Sequence, residues 1–145
     1  MRAKEFFLSV RDAEHKVKSL RQRQRKYKEM ACSISGMSET NIRSVGSRSR
    51  TETAALRLVD VEEQIADEAE HYVALIEQAE AVIRQISKPR YRQVLELRYL
   101  CGLSWRTVSD EMGYRDAKSA FRVHGWALAA AQKILDKTEL LQQMM

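Results

Sequence analysis

The sequence predicts an all-α protein: a long antiparallel coiled-coil helical hairpin followed by a small C-terminal helix-turn-helix bundle. Three observations carry this. The 145 residues include only 5 Gly and 1 Pro, so there is little turn chemistry to build a sheet. Two long stretches repeat apolar residues at alternating steps of four and three. A final stretch breaks into short helical segments joined at glycines. The length fits one domain or a small domain with an extended appendage.

In the first stretch Phe6, Val10, Ala13, Val17, Leu20 and Tyr27 follow a heptad seam that only Gln24 interrupts. One narrow stripe on a helix of about 30 residues cannot make a globular core, so it requires a partner helix. Residues 33–49 are rich in Ser and Gly without sustained period and read as a mobile connector. Periodicity resumes with Leu58, Ile65, Ala69, Tyr72, Ile76, Ala79, Ile83 and Ile86, with Glu62 filling the missing place. The division expected from these patterns is a hairpin over 1–86 and a second domain over 87–145.

Charge is distributed unevenly. Residues 1–50 carry 13 basic and 5 acidic residues, residues 51–86 carry 2 and 9, and residues 87–145 carry 10 and 6, for a net charge of +5. A basic helix folding back on an acidic one is the simplest arrangement that brings opposite charges together. The basic run Arg21-Gln22-Arg23-Gln24-Arg25-Lys26 therefore reads either as the partner of the acidic helix or as a nucleic-acid contact. The compensating acidic segment next in the chain favours pairing. Heptads also permit pairing between chains, so a homodimer through the coiled coil is an open alternative.

Beyond Ile86, Ser87 is placed to cap a helix and Pro89 suits its first turn. Apolar residues Tyr91, Val94, Leu95, Leu97 and Leu100 follow, and Cys101-Gly102 ends the helix. Ser104 is a natural N-cap for a short helix carrying Trp105, Val108 and Met112, with Gly113 as its stop. Asp116 then caps a longer helix with Ala117, Ala120, Phe121, His124, Leu128, Ala131 and Leu135 on one face. If Phe121, His124 and Leu128 turn inward, then Lys118, Ser119, Arg122 and Trp126 turn outward. On that apolar face His124 reads as a satisfied core histidine, and Cys101 as a small buried residue.

Residues 91–114 resemble the fourth region of bacterial sigma factors and the related ArpU/RinA-like regulators of phages and prophages. The resemblance rests on Leu97-Arg98-Tyr99, Gly102, Ser104-Trp105 and Met112-Gly113-Tyr114. The phage group is similar outside this segment as well, in its long helix, Ser/Gly-rich connector and second long helix. The tail His124-Gly125-Trp126-Ala127-Leu128 also matches. The resemblance implies a sequence-specific transcriptional regulator that binds double-stranded promoter DNA, with RNA polymerase as a partner.

The helix beginning near Asp116 is then the recognition helix. A helix that enters the major groove needs outward polar side chains near its N-terminal end and flanking cations. On this basis Lys118, Ser119 and Arg122 are candidate base readers, and Arg106 and Arg115 candidate phosphate contacts. The bland readings are a solvated cationic helix face, Ser119 supporting Asp116 in capping, and Trp126 packing against the arm or a second subunit.

Two other functions suit the same elements. One is a small-terminase-like DNA packaging protein, and the other a protein-protein interaction module with a sigma-like fold. No catalytic constellation is evident: the acidic run Glu62, Glu63, Asp67, Glu68 and Glu70 reads as a solvated face, and the histidines are scattered. The expectation is a non-enzyme without cofactor or metal. Cys32 and Cys101 form no metal-binding spacing, and neither an apolar leader nor a membrane-spanning run is present, which suggests a cytoplasmic protein of a bacterial host.

Overall fold

The computed structural model describes residues 2–36 and 45–145 and is all-helical across them. Two long helices come first, α1 (Ala3–Gly36) and α2 (Val45–Arg84). Three shorter-spaced ones follow: α3 (Pro89–Leu95), α4 (Trp105–Glu111) and α5 (Ala117–Met144). A π-helical turn, Glu96–Leu100, extends α3. Among the described residues no helix is long and apolar enough to cross a membrane. Of the connector expected over 33–49, residues 33–36 and 45–49 belong to α1 and α2, and the rest lies outside the described residues.

The described chain packs as two compact units, Met1–Glu14 with Tyr72–Met145, and His15–His71. The second unit is an antiparallel helix pair. Lys16 Nζ lies 2.9 Å from Glu68 Oε1, and the pKa of the Tyr27 hydroxyl is lowered by Arg23 first and by Arg57 of α2 second, which places Arg57 beside it. The step from 16 to 27 along α1 thus matches the step from 68 back to 57 along α2. The seam is the expected one on α1, where Val17 and Leu20 are buried. On α2 the gap in the stripe is filled by Val61, 1% exposed, while Glu62 is exposed, so the sequence register was off by one residue there. The four-three rhythm runs Ala54, Leu58, Val61, Ile65, and burial of an uncharged valine costs nothing in carboxylate desolvation.

The first unit owes its core to both ends of the sequence. Phe6, Phe7 and Val10 of α1 and Ala79, Val82, Ile83 and Ile86 of α2 form one cluster with Val94, Leu95, Tyr99, Val108, Ala120, Val123 and Ala127. Close packing is therefore not divided at residue 86. The short helices α3 and α4 offer too little apolar surface by themselves, and the helix ends that flank them supply it. Phe7 stands 5.1 Å from Tyr99 and 5.2 Å from Phe6 between ring centroids.

The joints follow local chemistry. Pro89 is at the first position of α3, but Lys88, not Ser87, is the N-cap and has no side-chain capping bond. The helix starts one residue later than Ser87 would require. The joint is instead tied by Arg92, whose guanidinium donates to the Ile86 and Ser87 carbonyls at 2.6 and 3.0 Å. In the π turn the Cys101 amide donates to the Glu96 carbonyl at 2.9 Å, a span of five residues instead of four. The widened turn buries Tyr99 and leaves Cys101 exposed, which corrects the expectation of a buried cysteine.

Gly102 and Gly113 both have positive φ, 71° and 78°. Their surroundings differ. A Cβ at Gly102 would stand 2.6 Å from the Glu14 carboxylate, itself nearly buried, whereas one at Gly113 meets nothing within 4 Å. Gly113→Ala is expected to cost about 1 kcal/mol through backbone strain alone, and Gly102→Ala about 2 kcal/mol or more because Glu14 must also move. Urea unfolding of the two variants measures the difference.

Candidate functional site

Ser104 caps α4 by accepting from the Thr107 amide, and Asp116 caps α5 by accepting from the Ser119 amide at 3.0 Å, both as the sequence indicates. Between them the turn is closed by backbone bonds from Gly113 to Asp110 and from Tyr114 to Ser109. Ser109 is buried, and its hydroxyl donates to the Asp116 carbonyl at 2.7 Å. A hydroxyl at this position thus ties the start of α5 to α4, which fixes the two helices relative to each other. The Asp116 carboxyl is held below its usual range by the Ser119 amide first and the Ser119 hydroxyl second.

The five candidate residues are distributed as follows. Arg106 on α4, Arg115 in the turn, and Lys118 and Arg122 on the first turns of α5 are exposed. Lys118 and Arg122 are close enough to Asp116 to lower its pKa further. Ser119 is only partly exposed, and its hydroxyl donates to the Asp116 carboxylate at 3.0 Å. That bond gives Ser119 the capping role weighed as its bland reading.

The inward face of α5 is the expected one in part. Ala120, His124 and Ala131 are buried and Leu128 and Leu135 pack against the core, but Ala117 is exposed, Phe121 is 59% exposed, and Val123 and Ala127 are buried as well. Small alanines let α5 approach the core closely, and the phenyl ring is left at the rim, edge-on to Trp105 with centroids 5.3 Å apart. Trp126 is 53% exposed and lines a cavity with Lys88, Pro89, Tyr91 and Val123. His124 is the satisfied core histidine expected. Its Nε2 is 2.6 Å from the Tyr99 hydroxyl, and its pKa is lowered from 6.5 to about 4, by burial first and then by Arg98 and Lys4.

Two participants escape a sequence reading. Arg90 of α3 lies 5.4 Å over the Tyr114 ring, which adds a cation beside the turn that carries Arg115. Phe121 adds an exposed apolar ring next to Arg122. Neither has a local signal, since both depend on how separate helices meet.

The arrangement is a short capped helix, a tight turn and a long helix whose exposed N-terminal end bears cations around a carboxylate cap. It offers donors to anions and to the acceptor edges of bases, and a ring for apolar contact. Comparison of the chain with protein-family models, with curated proteins and with solved structures finds no match.

Proposed function

We propose that the protein is a sequence-specific double-stranded DNA-binding transcriptional regulator of the phage or prophage type, acting at promoters together with RNA polymerase. The observation that carries this reading is the exposure of Lys118 and Arg122 at the start of α5, with Arg106 and Arg115 exposed beside them, while Val123, His124 and Ala127 hold the opposite face in the core. A helix held this way can enter a major groove about 12 Å wide without disturbing the bundle. The likeness of residues 91–114 to the sigma-type module supports the same assignment.

In the proposed mechanism Arg106 and Arg115 meet phosphates and set register. Lys118 and Arg122 read base edges, with Arg122 suited to the bidentate contact that guanidinium makes with guanine. Ser119 takes a supporting place, because its hydroxyl already serves Asp116. Phe121 adds an apolar contact of the kind that suits a thymine methyl group. Binding alone is the function, and its free energy includes a salt-dependent phosphate contribution.

The test is a pair of variants measured by fluorescence anisotropy on a site selected by the native chain from a random duplex library and on random duplex. Arg122→Ala is expected to cost about 1 to 3 kcal/mol on the selected site and to spare random DNA, whereas Arg106→Ala weakens both. Equal losses on both duplexes for both variants would remove Arg122 from the reading role.

A further inference from the structure

A cavity of about 320 Å³ opens within the first unit, between the start of α1, the π turn, α4 and α5. Its floor and walls are aromatic and apolar: Trp105, Phe121, His124 and Leu8 line it. Three cations, Lys4, Arg11 and Arg98, share the lining, and among the described residues no carboxylate does. None of the three forms an ion pair among the described residues. The size lies at the lower end of small-molecule sites, and the composition, an apolar body with a few convergent charges, is that of a ligand pocket.

The charges here are held at a cost. Arg98 lies 4.5 Å over the Trp105 ring and donates to the Leu103 carbonyl at 3.0 Å, so its plane is fixed while most of its donors stay available. Burial first, and the neighbouring Arg11 second, lower the Arg98 pKa from its ordinary value. An anion between the two guanidiniums relieves both penalties and gains charge-assisted hydrogen bonds. The histidine on the wall adds no competing positive charge near neutral pH, because its pKa is lowered to about 4. Leu8 and Phe121, 40% and 59% exposed, are the apolar surface that a ligand would remove from water.

We propose that this cavity is a binding site for a small amphipathic carboxylate, with its anionic head between Arg11 and Arg98 and its apolar body against Trp105, Phe121 and Leu8. The site shares Phe121 with the cationic end of α5, but its cations, Lys4, Arg11 and Arg98, are not those proposed to meet DNA, and it does not depend on DNA being the partner there. A single negative charge joined to a compact apolar body satisfies both halves of the lining. A cationic or purely apolar compound of the same length leaves Arg11 and Arg98 uncompensated.

Octanoate is a suitable probe, compared with octylamine and octanol of equal chain length. Trp126→Phe leaves Trp105 as the only tryptophan, so its emission reports on the cavity in the full-length chain. Gly125, which lines the cavity, is helical, and a Cβ there meets nothing within 4 Å. Gly125→Phe therefore places a bulky side chain at the cavity wall from an unobstructed Cβ, and replacing a helical glycine favours the helix. Helical circular dichroism checks that each variant is folded.

Octanoate is expected to shift Trp105 emission saturably, with octylamine at least tenfold weaker. Arg11→Gln is expected to weaken octanoate about tenfold, and Gly125→Phe to abolish the response. Failure of octanoate to bind in the millimolar range overturns the proposal. So does equal binding of octylamine, octanoate binding that survives Gly125→Phe, or occupation by an acidic peptide alone while octanoate is refused.

Discussion

Phe7→Ala should lower the unfolding free energy by about 3 to 5 kcal/mol, the range for removing a fully buried phenyl ring. Phe7 has 0% exposure and joins Phe6 and Tyr99 in one aromatic group. It stands more than 80 residues before the helix-turn-helix segment, yet the core cluster links it to Val94, Leu95 and Val108. The loss should therefore appear in the C-terminal bundle, and the proposed DNA binding should fall with the folded fraction. Chemical denaturation followed by the emission of Trp105 and Trp126 and by helical signal measures it. A loss under 1 kcal/mol, or a bundle that remains folded when residues 1–14 are deleted, would separate the two.

A second large effect is expected from His124. Its folded pKa is about 4 against 6.5 in the unfolded chain, so the unfolded state binds the proton more readily. Its contribution is fully present above pH 6.5 and is lost as the pH falls through 4. A shift of that size corresponds to a loss of roughly 3 kcal/mol over the window. His124→Gln keeps a polar partner for the Tyr99 hydroxyl but does not titrate. The stability of the variant should depend less on pH between 4 and 6.5 than that of the native chain. Parallel curves for the two would show that burial of this imidazole does not set the pH response.

Much of the architecture is written in local chemistry. Ser104, Asp116, Gly102 and Gly113 mark their helix ends because capping bonds and positive φ depend on immediate neighbours. The seam from Phe6 to Leu20 is legible because a four-three rhythm sustained over many turns has one interpretation. Val61 escaped because a stripe with one gap admits two fillings, and only the packed pair distinguishes them.

The π turn, and with it the exposure of Cys101, has no local signature; it is set where Tyr99 meets Phe7 and His124. The inward face of α5 is legible in part: the spacing places Ala120, His124 and Ala131 inward, and they are buried, but it also turns Phe121 inward, where close approach to the core selects Val123 and Ala127. The candidate site was half legible. Charge points to Arg106, Arg115, Lys118 and Arg122, and capping chemistry to the engagement of Ser119 with Asp116, while the presence of Arg90 and the exposure of Phe121 emerge only in three dimensions.

The central claim is that the exposed cationic end of α5 reads duplex DNA. Repeated selection of bound duplexes from a random library by the full-length chain, read by sequencing, tests it most directly. The account predicts enrichment of one motif by the native chain and relaxed preference at one position of that motif with Arg122→Ala. Retention of no duplex even at low salt, or retention without any enriched motif, would contradict it.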